Sequence, residues 1–406
     1  MCAAAMLPMF TSCGESAELD YLTRRPAGEI RRVERALLFY FVGTSLDGEF
    51  RENLTDVRQA VTADPSILDD ARIVYFRRAT SGGEWAISEI YYDREKGSAE
   101  TKTLKRYAEP DLSLMDDYLN EMVRLVPANH YGLVLGGHGS GWLPTSIGSS
   151  WTSKYSVGQQ PSAYVAPFGE APREGAAKTR YFGESNCTFD LEQIAECMIG
   201  TGVKFDYMIF DDCFMSNIES LYAMRHAVDR IIASPCEIMA AGFPYQRVIP
   251  RLFAPDGKCD LEGVCKAFYE YYISDSSIRS GCIALTVCSE LEPLAEAHRR
   301  LVAGPTVEVD RAQLQYYEGL SEHLFYDMGQ YAERLSADAS LLDEFRRRFD
   351  AAFPESCRLH TPYFYTAFGS DHFVDVDYYS GVTISEPARR NTDLNRETEW
   401  YRATHR

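Results

Sequence analysis

Two short stretches place reactive side chains where a strand ends. The first, YGLVLGGHGSGWLP from Tyr131, runs from an apolar strand core (Leu133, Val134, Leu135) through Gly136 and Gly137 to His138 and a Gly-Ser-Gly turn. The second, MIFDDCFMSNIE over 208–219, carries a buried run into Asp211, Asp212 and Cys213, and a helical pattern follows. An imidazole exchanges protons near neutral pH, and a thiolate is a strong nucleophile. A cysteine and a histidine at the carboxyl ends of two strands of one sheet can meet above it and share a substrate. The pattern predicts Asp212 or Cys213 at a helix N-terminus, where the dipole and open N–H groups lower a thiol pKa. The adjacent carboxylates act in the opposite direction. Glycine at 139 leaves room for a substrate carbonyl to reach a backbone N–H.

The elements that must hold these residues alternate along the chain. ALLFYFVG (36–43) is a continuous apolar run, as in a strand buried on both faces. EFRENLTDVRQAV then sets Phe50, Leu54, Val57 and Val61 on one helical face. ARIVYF (71–76) is a second buried strand, and AISEIYY (86–92) an edge strand or hairpin arm. DLSLMDDYLNEMVRLVP (111–127) is an amphipathic helix closed by Pro127, and the histidine strand, 132–137, follows. Residues 143–187 are rich in Ser, Gly and Pro; a loop of that length in a compact domain is functional or mobile. Regular structure resumes with the helix TFDLEQIAECMIG, capped by Thr188 or Asp190, and with strands over 230–237 and 281–289. His226, His298 and His323 fall on helical patterns and read as surface residues. Alternation of this kind specifies a mostly parallel sheet with helices on both faces. Ligands of such sheets bind beyond the carboxyl ends of the strands, where His138 lies.

Composition excludes several function classes. The chain has 406 residues, 45% of them hydrophobic, enough for one large α/β domain or two smaller ones. Sixty acidic residues against 41 basic ones leave a formal charge of −19, which repels nucleic acid and anionic membranes and favours cationic substrates. No run approaches the ~20 apolar residues of a membrane span. The N-terminus, MCAAAMLPMFTSCGESAELD, resembles the tail of a bacterial lipoprotein signal, which implies lipidation at Cys13. Its basic n-region is missing and Phe10 stands where an aliphatic residue is usual. Of eleven cysteines, nine remain without Cys2 and Cys13, an odd number that leaves at least one thiol outside any intrachain pairing. Most of them, Cys236 included, read as packed thiols.

The stretches YGLVLGGHGSGW and DYMIFDDCFMSNIESLY together resemble the clostripain family of cysteine peptidases, which shares the caspase-like fold. ALLFYFVGTSLDGEF, SPCEIMAAGFPY (234–245) and the late SGVTIS extend the resemblance over most of 33–300. The residue between Asp211 and Cys213 is usually small in that family, and here it is Asp212. The resemblance implies a three-layer αβα sandwich with a mostly parallel central sheet. The expected organisation is a signal remnant (1–13), a tether (14–32), a peptidase domain (33–305) and a smaller C-terminal subdomain (306–406). It implies Cys213 as nucleophile, His138 as acid/base, and the N–H groups of Gly139 and Cys213 as an oxyanion hole. Asp211 would line a pocket for Arg or Lys.

Family members often cleave themselves in the region of 143–187, and Arg173 or Lys154 would be the site here. The enzyme expected is a monomeric cysteine endopeptidase acting on proteins or peptides with basic residues. It would lie outside the cell or in its envelope, in the periplasm or at the outer membrane, and touch the membrane only through the lipid. No metal or other cofactor is required; calcium near Asp47 and Glu49 is a secondary reading. GTSLD at Gly43 lacks the closing glycine of a nucleophile elbow and carries no expectation. The rival reading is a catalytically inactive relative, a surface lipoprotein that binds peptides or proteins.

Overall fold

The computed structural model describes residues 31–78, 84–144, 189–254, 258–369 and 371–406. The elements run β1 (Val33–Phe41), α1 (Asp47–Ala63), β2 (Ala71–Arg78), β3 (Trp85–Asp93), β4 (Ser98–Tyr107), α2 (Met115–Leu125), β5 (Ala128–Gly136), α3 (Leu191–Gly200), β6 (Phe205–Asp211), α4 (Ile218–Met224) and β7 (Arg230–Ala233). They continue with α5 (Tyr245–Leu252), α6 (Leu261–Glu270), β8 (Cys282–Val287), α7 (Leu291–Ala303), β9 (Tyr326–Asp327), α8 (Met328–Leu335), α9 (Ala339–Ala352) and β10 (Leu359–His360). Last come β11 (Tyr363–Tyr365), β12 (Phe373–Asp375), β13 (Thr383–Ile384), α10 (Thr392–Asn395) and α11 (Glu399–His405). The central sheet has the order β10-β8-β7-β6-β5-β1-β2-β3-β4. Its five middle strands, β7, β6, β5, β1 and β2, are parallel, and antiparallel strands close both sides.

The apolar run at the start of the chain behaves as a two-faced strand must, with alternate side chains entering opposite layers. Leu37, Phe39 and Phe41 of β1 pack with α1, α5 and α6. Ala36, Leu38, Tyr40 and Val42 pack with the layer that holds α2, α3, α4 and α7. Helices therefore cover both faces, giving the three-layer αβα sandwich. The α1 stripe is as the spacing predicts: Phe50, Leu54, Val57 and Val61 are all buried. AISEIYY is the inner arm of a hairpin, with β4 as the sheet edge. Asp190 heads α3: its N–H is taken by the Gln193 side chain at 3.1 Å, and Thr188 lies outside the described residues. His298 is no surface residue; it is fully buried, with Nε2 3.0 Å from Glu386. His323 lies outside any helix, half-buried, stacked on Tyr316 and bonded to Glu318.

Val33–Arg406 form one compact unit. Residues after 305 supply the outer strand β10 beside β8, and β13 bridges to the segment after β6 (Asn217 to Thr383). No helix among the described residues is long and apolar enough to cross a membrane.

The Phe41 and Phe50 rings stack at 4.3 Å and 5° and join β1 to α1 just below the carboxyl end of the sheet. Both are about fully buried. Phe50→Ala should therefore cost about 3–5 kcal/mol. Urea denaturation would show it as a lowered midpoint; an unchanged midpoint would mean that this layer is not closed by the ring pair.

Candidate active site

Strand register brings the two sequence motifs together. Phe41 of β1 is level with Gly136 of β5, and Gly136 is level with Asp211 of β6. His138 and Cys213 are thus each two residues past the same level on neighbouring strands, which lie about 4.8 Å apart. The turns then touch through their backbones. A Cβ on Gly139 would sit 2.0 Å from the Cys213 carbonyl oxygen and 3.0 Å from its nitrogen. Glycine at 139 is required by the cysteine turn itself, before any substrate arrives. Gly141, at φ +64°, then turns the chain so that Trp142 can donate from Nε1 to Ser385 Oγ at 2.8 Å.

The imidazole is nearly enclosed, and its Nε2 lies 2.8 Å from Ser45 Oγ. Ser45 follows β1 in the GTSLD loop, which reaches the same end of the sheet. Sequence reasoning passed over it because it sought a nucleophile elbow there. The useful signal was only that the loop follows a strand adjacent to the histidine strand.

Cys213 is 1% exposed. Its Sγ accepts the Ile238 N–H at 3.2 Å and faces the Ile238 carbonyl at 3.7 Å. The covering segment is held by Phe214 N–H donating to the Cys236 carbonyl at 3.1 Å and Ser216 N–H donating to Ser234 at 2.8 Å. Burial, then the Glu237 carboxylate, pushes the thiol pKa well above its ordinary value; Asp212 adds to this, and the Ile238 N–H opposes it. The expected helix-dipole assistance is absent. The helix α4 begins at Ile218, capped by Asn217 Oδ1 accepting from Ser220 N–H at 3.0 Å, so the thiol lies several residues ahead of it. Phe214 intervenes at φ +61°, a left-handed conformation that costs a bulky residue about 1–3 kcal/mol. Its ring stacks on Phe325 at 5.4 Å, and Asn217 Nδ2 donates to its carbonyl, which together hold the turn.

The carboxylates occupy distinct places. Asp211 is fully buried, and its Oδ2 accepts from Tyr245 Oη of α5 at 2.7 Å. Asp212, also buried, lies under the glycine turn, with Oδ1 3.5 Å from the position of a Cβ on Gly137. Glu237 accepts the Ala367 N–H at 3.0 and 3.2 Å. Neither Tyr245 nor Glu237 was singled out from sequence; each is a polar residue in an apolar run. Asp47 is bonded to Arg77 at 2.8 Å. Among the described residues no group of three or more His, Cys, Asp or Glu is placed to hold a metal. Cys13, Lys154 and Arg173, and the 143–187 loop apart from Leu143 and Pro144, lie outside the described residues.

A thiol and an imidazole on adjoining turns at the carboxyl ends of a parallel sheet define a cysteine hydrolase of the αβα type. The profile of the clostripain family, peptidase C11, matches residues 177–343. A secreted C11 cysteine protease from Bacteroides thetaiotaomicron, "iotapain", is 30% identical, with 92% of this chain and 100% of that chain covered and a TM-score of 0.77. An inactive zymogen C11 protease from Parabacteroides distasonis is 25% identical over 93% and 99% of the two chains, with a TM-score of 0.73. A clostripain from Bacteroides thetaiotaomicron ATCC 29148, in complex with the peptide inhibitor BTN-VLTK-AOMK, is 33% identical over 55% of this chain and 99% of that one, with a TM-score of 0.51. No curated protein matches the sequence. The chain belongs to the clostripain family and is a cysteine peptidase.

Two substitutions test the geometry. A methyl at 139 would displace the Cys213 backbone, so Gly139→Ala should lower kcat/KM by on the order of 10²-fold, whereas Gly48→Ala, in open space on α1, should not. Equal activity in the two variants would contradict the backbone contact. Ser45→Ala removes one hydrogen bond to the imidazole, worth about 1 kcal/mol, and should lower kcat roughly fivefold with KM unchanged. A change in KM alone would mean that Ser45 touches substrate instead.

Proposed function

We propose that this chain is an endopeptidase that cleaves after Arg or Lys, with Cys213 as nucleophile and His138 as its acid/base partner. The observation that carries this reading is the common level of Gly136 and Asp211, which starts both turns at one height. In the proposed reaction the Cys213 sulfur attacks the scissile carbonyl. The N–H groups of Gly139 and Cys213 receive the developing oxyanion, and the imidazolium protonates the leaving amine. The acyl-enzyme is then hydrolysed by water activated by the same ring.

A basic preference is supported by the buried Asp211 carboxylate beside the nucleophile, since a carboxylate in a low-dielectric pocket suits a guanidinium or ammonium. The inhibitor on the Bacteroides thetaiotaomicron clostripain, BTN-VLTK-AOMK, ends its peptide in lysine, which agrees. The hydroxyl of Tyr245 occupies one oxygen of that carboxylate and would have to yield or share it.

The uncut chain reads as latent. A thiol that is 1% exposed and protonated at neutral pH neither meets a protein substrate nor attacks one. Self-cleavage within 143–187, after Arg173 or Lys154, is the proposed release. Secretion, as described for iotapain, and a lipid anchor at Cys13 complete the proposal.

One experiment tests these points together. Freshly purified chain and Cys213→Ala are incubated with fluorogenic peptides ending in Arg, Lys, Asp or Asn, with gel samples and iodoacetamide labelling over time. The expected course is slow labelling of Cys213, appearance of two bands, then fast labelling and turnover of Arg or Lys peptides, all absent in Cys213→Ala. No turnover of any peptide, even after limited proteolysis within 143–187, sinks the enzymatic reading. Preference for Asp or Asn peptides removes the role given to Asp211, and an intact single band in an active sample removes self-cleavage.

A further inference from the structure

At the amino ends of the strands, opposite Cys213, a second group of thiols surrounds a cavity of about 590 Å³. Its wall includes Arg35, Lys258, Cys259, Ser356 and Cys357. Cys357 closes a short 3₁₀ turn, Glu355–Cys357, ahead of the outer strand β10. That turn docks on α6, where Ser356 Oγ donates to Glu262 at 3.1 Å. Cys265 stands one helical turn beyond Glu262, on the same side. There Cys265 and Cys357 lie in one packed cluster, both almost fully buried.

We infer that Cys265 and Cys357 are a disulfide-forming pair, closed by exchange with a low-molecular-weight disulfide that reaches Cys357 through this cavity. The inference is independent of the peptidase reading. The bond from Ser356 to Glu262 docks the Cys357 turn on the helical turn that carries Cys265, and Cys357 faces the cavity. They also differ in role. Cys357 lines the cavity and Cys265 does not; the neighbouring Cys265 side chain, then Ser356, holds the Cys357 thiol below its ordinary pKa despite burial, whereas Cys357, then burial, pushes Cys265 well above. Cys357 is therefore the attacking thiol and Cys265 the resolving one. Cys357 loses its proton and attacks one sulfur of the small disulfide, whose S–S bond breaks; the departing thiolate takes up a proton. Cys265 then loses its proton and attacks the Cys357 sulfur of the mixed disulfide, releasing the second small thiol. Two protein thiols are oxidised by two electrons, and one small disulfide is reduced to two thiols.

Neighbouring thiols are less suited. Cys259 shares the cavity, but it donates to the Leu252 carbonyl at 3.3 Å, and burial raises its pKa to about 11. Cys236 and Cys282 also share a cluster, with Tyr317 and Phe364, yet both are fully buried and neither lines the cavity. The Cys265–Cys357 bond would tie the outer strand β10 and its preceding turn to α6, closing a long loop of chain.

The test exposes reduced full-length protein, in the unsubstituted and Cys213→Ala forms, to glutathione disulfide. Peptides are then mapped by mass spectrometry without reduction. The expected product is a Cys265-to-Cys357 crosslink in both forms, with Tm raised by roughly 4 °C. Cys259→Ser should keep the crosslink, and Cys265→Ser should leave glutathione attached to Cys357. Quantitative alkylation of both Cys265 and Cys357 after oxidation would overturn the inference, as would a crosslink from Cys357 to Cys259. Should Cys265→Ser fail to fold, the map of the unsubstituted chain decides alone.

Discussion

The site depends on one constraint, the shared register of β1, β5 and β6. Parallel strands hydrogen-bonded in register must end at one level, and these three do so at Phe41, Gly136 and Asp211. Their successors, Ser45, His138 and Cys213, then arrive over the same end of the sheet. The tight backbone contact between Gly139 and Cys213 locks the two reactive turns together. A one-residue slip between β5 and β6 would send His138 to the opposite face of the turn and expose the Leu133–Leu135 run to the wrong layer. Packing of both helical layers therefore enforces the chemistry.

Around this contact the molecule spends stability on enclosure. The Ile238 strap covers the sulfur, Glu237 and Asp212 surround it with negative charge, and Phe214 is held in a strained turn. The C-terminal segment reinforces both turns. Ser385 receives Trp142 of the histidine loop and donates its N–H to the buried Glu219 of α4, while Ser216 donates to the Gly381 carbonyl. Residues far apart in sequence thus hold one small region from several sides. Such a site is held through its backbone, with both the thiol and the imidazole buried.

Much of this was legible in the residues. The two-faced run of β1, the α1 stripe and the strand-His-Gly and Asp-Asp-Cys endings each carry a local signal with a physical cause: apolar periodicity, or glycine where chain must turn. Other features carried none. Ser45 and Tyr245 acquire their meaning from neighbours 93 and 34 positions away, which no local pattern encodes. The delayed start of α4 was hidden because Met215, Ser216 and Asn217 fit a helical pattern as well as an extended one. Backbone bonds from Phe214 and Ser216 to the strap after β7 decide for the latter. His298 looked like a surface residue because its buried partner, Glu386, lies in the C-terminal segment.

By itself, then, the sequence determined the class of fold and the residue types that end its strands, since periodicity and turn chemistry act over a few neighbouring positions. Only the tertiary structure decided the state of those residues. Whether Cys213 is exposed or sealed, that Ser45 meets the His138 ring, what faces Asp211, and that Cys265 and Cys357 share one cluster are all set by contacts between distant segments. Desolvation and hydrogen bonding there depend on what the folded chain brings alongside, and composition along the chain does not record it.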